Sequence, residues 1–137
     1  MSRIIKTESV GKDRNRLCKE IVLTIRQLVS QTQPDNASRD MAAFISNSLL
    51  EISQSIDVSV TAWENRGYWV KADRFRMEWT WTSQLGSAMR EALLNDDWGS
   101  IAILAVRIAQ KLSKVKIATH HRLGTPWVGA WVKIASS

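Results

Sequence analysis

The sequence predicts an all-α protein, an antiparallel four-helix bundle with a short fifth C-terminal helix. Three observations predict it. Apolar residues recur at intervals of three or four through four long segments, which is the period of one helix face. No segment alternates apolar and polar residues in the manner of a half-buried strand. Only six glycines and two prolines punctuate 137 residues, too few for the turns of a β-sandwich or barrel.

Each element follows from its own spacing. Residues 1–11 read as a flexible lead ending at Gly11, and residues 12–137 as a single helical-bundle domain. From Arg14 to Gln31, Leu17, Ile21, Ile25 and Leu28 form a stripe that Cys18, Val22 and Val29 widen. Gln33-Pro34-Asp35-Asn36 breaks the pattern, because proline disfavours helix in the residue before it. From about Ala37 to Glu64, Met41, Ile45, Leu49, Ile52, Ile56, Val60 and Trp63 form the second stripe. Asn65-Arg66-Gly67 is the next break. From Tyr68 to Leu94, Tyr68, Ala72, Phe75, Trp79, Thr82, Gly86, Met89 and Leu93 form a third, whose small residues admit a neighbouring helix closely. Asn95-Asp96-Asp97 ends it, with Asp96 or Asp97 as the N-cap of the next helix. The fourth stripe, from about Trp98 to Lys116, is Ile101, Leu104, Ile108, Leu112 and Val115. After an irregular stretch over 118–126, Thr125-Pro126 predicts the start of a short last helix. That helix would place Trp127, Trp131 and Ile134 on one face.

The charge is segmental. Lysine and arginine total 19 against 13 acids, a net charge of +6. Residues 31–65 carry one base and five acids, whereas residues 107–137 carry six bases and no acid. Lys12, Arg16, Lys19 and Arg26 are spaced to share one helical face. Arg66, Lys71, Arg74 and Arg76 cluster at the head of the third helix. Arg107, Lys111 and Lys114 form another row, followed by Lys116 and Arg122. Such rows neutralise phosphates without reading sequence. They also occur as solvated faces paired with acids. The stretch from Arg107 onward, with no compensating acid, favours a nucleic-acid partner.

Seven tryptophans, beside one tyrosine and two phenylalanines, are the other compositional signal. Trp63 and Trp79 lie on apolar stripes and read as core. Trp81 follows Trp79 by two residues, about 200° around the helix, and needs a second packing surface. Trp69, beside Arg66 and Lys71, is another contact candidate. Trp127 and Trp131 serve either to anchor the last helix or as an interface.

Catalytic and metal-binding patterns are missing from the sequence. The adjacent His120-His121 lies in a basic loop without a nearby Cys, Asp or Glu, a poor metal site. Cys18 falls on an apolar stripe and reads as core, and no disulfide can form within the chain. Gly11-Lys12-Asp13 is not a phosphate loop. A non-enzyme with no cofactor and no metal is expected. No stretch approaches about 18 apolar residues, so no membrane span is expected, and the expected location is the cytoplasm.

Two segments carry a family resemblance: TAWENRGYWVKADRFRMEWTW from Thr61 to Trp81, and LSKVKIATHHRLGTPWVGAW from Leu112 to Trp131. Together they resemble the C-terminal region of the large subunit of type I-D CRISPR-Cas effector (Cascade) complexes. The same region is also made as a separate small subunit from an internal start, which suits Met1 and the expected lead. The resemblance covers roughly Lys12 to Ile134. It implies a helical bundle, present in more than one copy, that stacks beside the large subunit and the backbone subunits. It implies support of the guide RNA–target DNA hybrid and of the displaced DNA strand through basic faces, without nuclease activity. It assigns no individual lysine or arginine, so the candidates remain the rows chosen by spacing. Two other readings stand beside it: a basic four-helix-bundle RNA-binding accessory protein of a reverse-transcriptase retroelement, and a protein–protein adaptor.

Overall fold

The computed structural model describes residues 7–136, which contain helices and no strand. The elements are α1 (Thr7–Val29), α2 (Asn36–Asn65), α3 (Trp69–Leu94), α4 (Trp98–Lys111) and α5 (Ala130–Ala135). The four long helices pack in chain order, α1 on α2, α2 on α3 and α3 on α4, and α4 closes back on α1, while α5 packs on α2. This is the bundle that the sequence predicts. No helix among the described residues is long and apolar enough to cross a membrane.

Local chemistry sets the ends. Asp35 caps α2, accepting hydrogen bonds from the Ser38 amide at 2.8 Å and the Ser38 hydroxyl at 2.9 Å. Gly67, at φ +81°, closes α2: its amide donates to the Glu64 carbonyl and that of Tyr68 to the Trp63 carbonyl. These paired bonds satisfy two terminal carbonyls. The same device ends α3, with Asp96 in the left-handed position at φ 54° and the Asp97 amide reaching the Ala92 carbonyl at 2.8 Å. Asp97 then caps α4 through the Ser100 amide and hydroxyl. The link between α3 and α4 is therefore a single tight reversal.

Three boundaries differ from the sequence expectation. Helix α1 begins at Thr7, so residues 7–11 of the expected lead are helical, and residues 1–6 lie outside the described residues. A lone glycine costs a helix about 1 kcal/mol, which does not stop an established helix from continuing through Gly11. Helix α4 stops at Lys111 rather than Lys116, and a turn follows in which the Val115 amide donates to the Leu112 carbonyl. A turn also holds residues three apart on one side, so the spacing of Leu112 and Val115 fits either form. Helix α5 begins at Ala130, one turn beyond Pro126, because Gly129 at φ +82° interrupts the segment. Its cap comes from a distant element: the Asp40 carboxylate of α2 accepts from the amides of Gly129 at 3.0 Å and Trp131 at 2.9 Å. Trp127 and Ile134 are buried and Trp131 is half-buried, so the expected face does anchor this segment.

The core runs the length of α2 through Met41, Ile45, Leu49, Ile52, Ile56 and Val60. Helices α2 and α3 are antiparallel: Trp63 meets Phe75 near their link, while Ser46 meets Gly86 far from it. At Gly86 the two backbones come close. The Ser46 hydroxyl donates to the Gly86 carbonyl at 2.8 Å, and a Cβ on Gly86 would lie 3.1 Å from the Leu49 Cβ.

Gly86→Leu should therefore lower stability by about 1–3 kcal/mol through overpacking. Thermal and urea unfolding check this; an unchanged midpoint would show that the two helices separate freely. The caps predict a pH effect. Hydrogen bonds from Ser38 and Ser100 hold the Asp35 and Asp97 carboxyls below the usual carboxylate range. Their contribution is complete above the unfolded-state pKa of about 3.9 and is lost as pH falls through the lower folded-state value. Melting curves of Asp35→Asn/Asp97→Asn, which keeps an acceptor at each cap, should show a shallower loss of melting temperature below pH 4.

Candidate nucleic-acid interface

The tight Asp97 reversal lays α4 antiparallel along α3. Two side-chain rows then face each other across a shallow groove: Trp81, Gln84 and Leu85 from α3, and Arg107, Gln110 and Lys111 from α4. Arg107 and Lys111 are exposed and have no ion-pair or hydrogen-bond partner among the described residues. Trp81 is half-buried, and its ring stacks on Trp79 at a centroid separation of 6.3 Å and an interplanar angle of 22°. An aromatic wall beside two unpaired cations matches what an unpaired nucleotide offers, a π face and a phosphate. The two glutamine amides add donors and acceptors suited to base or sugar edges.

The remaining cations fall into different environments. Lys12, Arg16, Lys19 and Arg26 are all exposed along α1, as their spacing predicts. Arg16 is engaged with Glu20 at 3.4 Å and Asp13 at 3.9 Å. Arg26 borders a cleft with Ala109, Ser113 and Val115. At the head of α3 the expected cluster divides. Arg76 is bound to Asp73 at 2.6 Å and Glu64 at 3.0 Å, and these bonds, Glu64 first, hold its pKa above the ordinary value. It is thus engaged by two acids, unlike Lys71 and Arg74. Lys71 lies 4.5 Å from the Trp63 ring centroid, and Arg74 and Arg66 are exposed. Lys114 does not continue the helical row of Arg107 and Lys111, because it sits in the turn after α4. Lys116 and Arg122 follow it in irregular, exposed backbone.

The aromatic residues form a connected run. Trp63 packs edge-on to Phe75 at 4.8 Å, Phe75 lies 6.4 Å from Trp79, and Trp79 stacks on Trp81. Trp63 and Trp79 are half-buried against the core, close to the expected placement. Trp69 is 59% exposed and available for contact. Trp127 is buried, which makes it part of the fold rather than a free interface.

Sequence reasoning passed over Arg14. Its guanidinium stands 5.0 Å from the Phe75 ring centroid and 5.6 Å from that of Trp79, and burial lowers its pKa from the ordinary value. The available signal was its position on the Leu17–Ile21 stripe. Gln84 and Gln110 were also missed, since their meeting depends on the register of α3 against α4. Burial pushes the Cys18 thiol up to about 11, so it is protonated at neutral pH. Among the described residues no group of three or more His, Cys, Asp or Glu side chains could hold a metal ion. The His121 Nδ1 accepts from the Leu123 amide at 3.3 Å.

Arg107→Glu/Lys111→Glu should weaken oligonucleotide binding at least about tenfold with an unchanged melting temperature, since neither side chain supports the fold. Arg76→Glu should leave binding nearly unchanged. Equal losses from both variants, read by fluorescence anisotropy, would mean that bulk charge rather than the groove governs binding. No protein-family model, no curated protein and no solved structure matches this chain.

Proposed function

We propose that this protein is a non-catalytic nucleic-acid-binding small subunit of an RNA-guided CRISPR surveillance complex. The observation that carries the binding role is the groove in which unpaired Arg107 and Lys111 stand beside Trp81. Its chemistry suits backbone contact and stacking, with sequence read by base pairing between guide and target. The resemblance of the Thr61–Trp81 and Leu112–Trp131 segments to the type I-D large subunit supports the assignment to a surveillance complex. In this reading the basic faces support the guide RNA–target DNA hybrid and the displaced DNA strand. The partners are the large subunit and the backbone subunits, with more than one copy of this chain per complex, in the cytoplasm.

The test is a salt titration of binding to single-stranded DNA, duplex DNA and an RNA–DNA hybrid. Affinity should be sequence-independent and fall linearly on a log–log plot against salt. Arg107→Ala/Lys111→Ala should reduce that slope by about 0.7 to 0.9 for each cation removed. Salt-insensitive binding, or none either alone or within an assembled complex, would overturn the proposal.

A further inference from the structure

The fourth helix of the bundle is half-length. Helix α4 has 14 residues, against 23 in α1, 30 in α2 and 26 in α3. Its last turn reaches the level of Trp81 on α3, where Lys111 and Trp81 line the same groove. Below that level α3 continues for three more turns, back to Trp69, about 18 Å of helix with no fourth helix beside it among the described residues. Arg14 of α1 reaches Phe75 and Trp79 across this interval.

The uncovered surface is apolar as well as basic. Val70, Met77 and Trp81 share one α3 ridge with Arg74, at spacings of four, three and four. Val70 is 67% exposed and Met77 is 78% exposed, although both are good core residues. Lys71 and Arg74 flank them, and neither has an ion-pair partner among the described residues; Glu78 lines the same hollow, where it interacts electrostatically with Arg14, so two cations stand there against one acid already engaged. The upper half of this lane is already filled by a helix, α4 itself, so its width is that of a helix. An aliphatic ridge bordered by cations complements an apolar helix stripe bordered by carboxylates. Phosphates would leave Val70 and Met77 without a partner.

We propose that the lower lane, in line with α4, is a docking site for an acidic amphipathic helix of a partner protein, which completes the four-helix layer. This site abuts the Arg107–Lys111 groove at Trp81 but is centred on Val70, Arg74 and Met77, and it does not depend on what that groove binds.

The probe is a synthetic helix of about three heptads, with leucine at a and d and glutamate at e and g, which repel self-pairing. Its control carries lysine in place of each glutamate. Isothermal titration with the full chain should show saturable binding of the acidic peptide and none of the control. Met77→Asp and Lys71→Glu/Arg74→Glu should each weaken binding at least about tenfold, the range of a central contact. Arg107→Glu/Lys111→Glu should leave it within about twofold. Both lane variants alter exposed side chains, and circular dichroism confirms that they remain folded. No saturation by about 100 µM peptide, equal binding of the lysine control, or indifference to Met77→Asp would overturn the proposal. So would a loss of oligo(dT) binding in both lane variants without any peptide binding, which would assign the lane to nucleic acid.

Discussion

The constraint on which the bundle depends is the close approach of α2 to α3 at Gly86. A side chain as small as alanine would put its Cβ 3.1 Å from Leu49 and about as close to Leu50. The Ser46 hydroxyl uses the same approach to reach the Gly86 carbonyl from a fully buried position. Small residues therefore hold the upper half of the α2–α3 pair together. The lower half is filled by a Trp63–Phe75 edge-on pair. Interaxial distance follows the side chains at the contact, so one helix pair joins a tight end to an aromatic end. The aromatic run from Trp63 to Trp81 emerges from that end, and its last member forms a wall of the candidate groove.

The second determinant is the length of α4. The Asp97 cap and the Asp96 reversal fix where it starts, and the turn at Leu112 fixes where it stops. Between them α4 brings Arg107 and Lys111 level with Trp81 and extends no farther. The same short helix thus builds the groove above and leaves the Val70–Met77 ridge uncovered below. Charge follows this division. Acids on α2 and α3 engage Arg76, while the cations beyond Asp97 meet no acid in the sequence that follows. The net charge of +6 is in this way concentrated on side chains that remain free to meet an anion.

Much of the fold was legible in the sequence because its helices are long and their stripes are regular. The breaks at Pro34, Gly67 and Asp96-Asp97 announced themselves through residues with specific backbone roles. Boundaries governed by tertiary contacts were not legible. The start of α5 depends on Asp40, 89 residues away from Gly129, and no local pattern encodes that bond. The end of α4 was hidden because a turn and a helix both place Leu112 and Val115 on one side. At the candidate site, spacing found Arg107, Lys111 and Trp81 but not that they meet, since that depends on the register between two helices. It also grouped Arg76 with Arg74. Two residues apart on a helix they point to different sides, and Glu64 and Asp73 engage only the first. The half-buried guanidinium of Arg14 was missed because a charged residue at the end of a stripe is ordinarily counted as surface.

The central claim is that nucleic acid is held in the α3–α4 groove by Trp81, Arg107 and Lys111. Nuclear magnetic resonance of the labelled protein, titrated with a short oligo(dT), tests it most directly. The account predicts progressive shifts of the Trp81 indole N–H and of the Arg107 and Lys111 amides, with the Lys12–Lys19 face of α1 and the Arg76 ion pairs left in place. Shifts centred on α1 or on the C-terminal segment, with Trp81 unmoved, would contradict it.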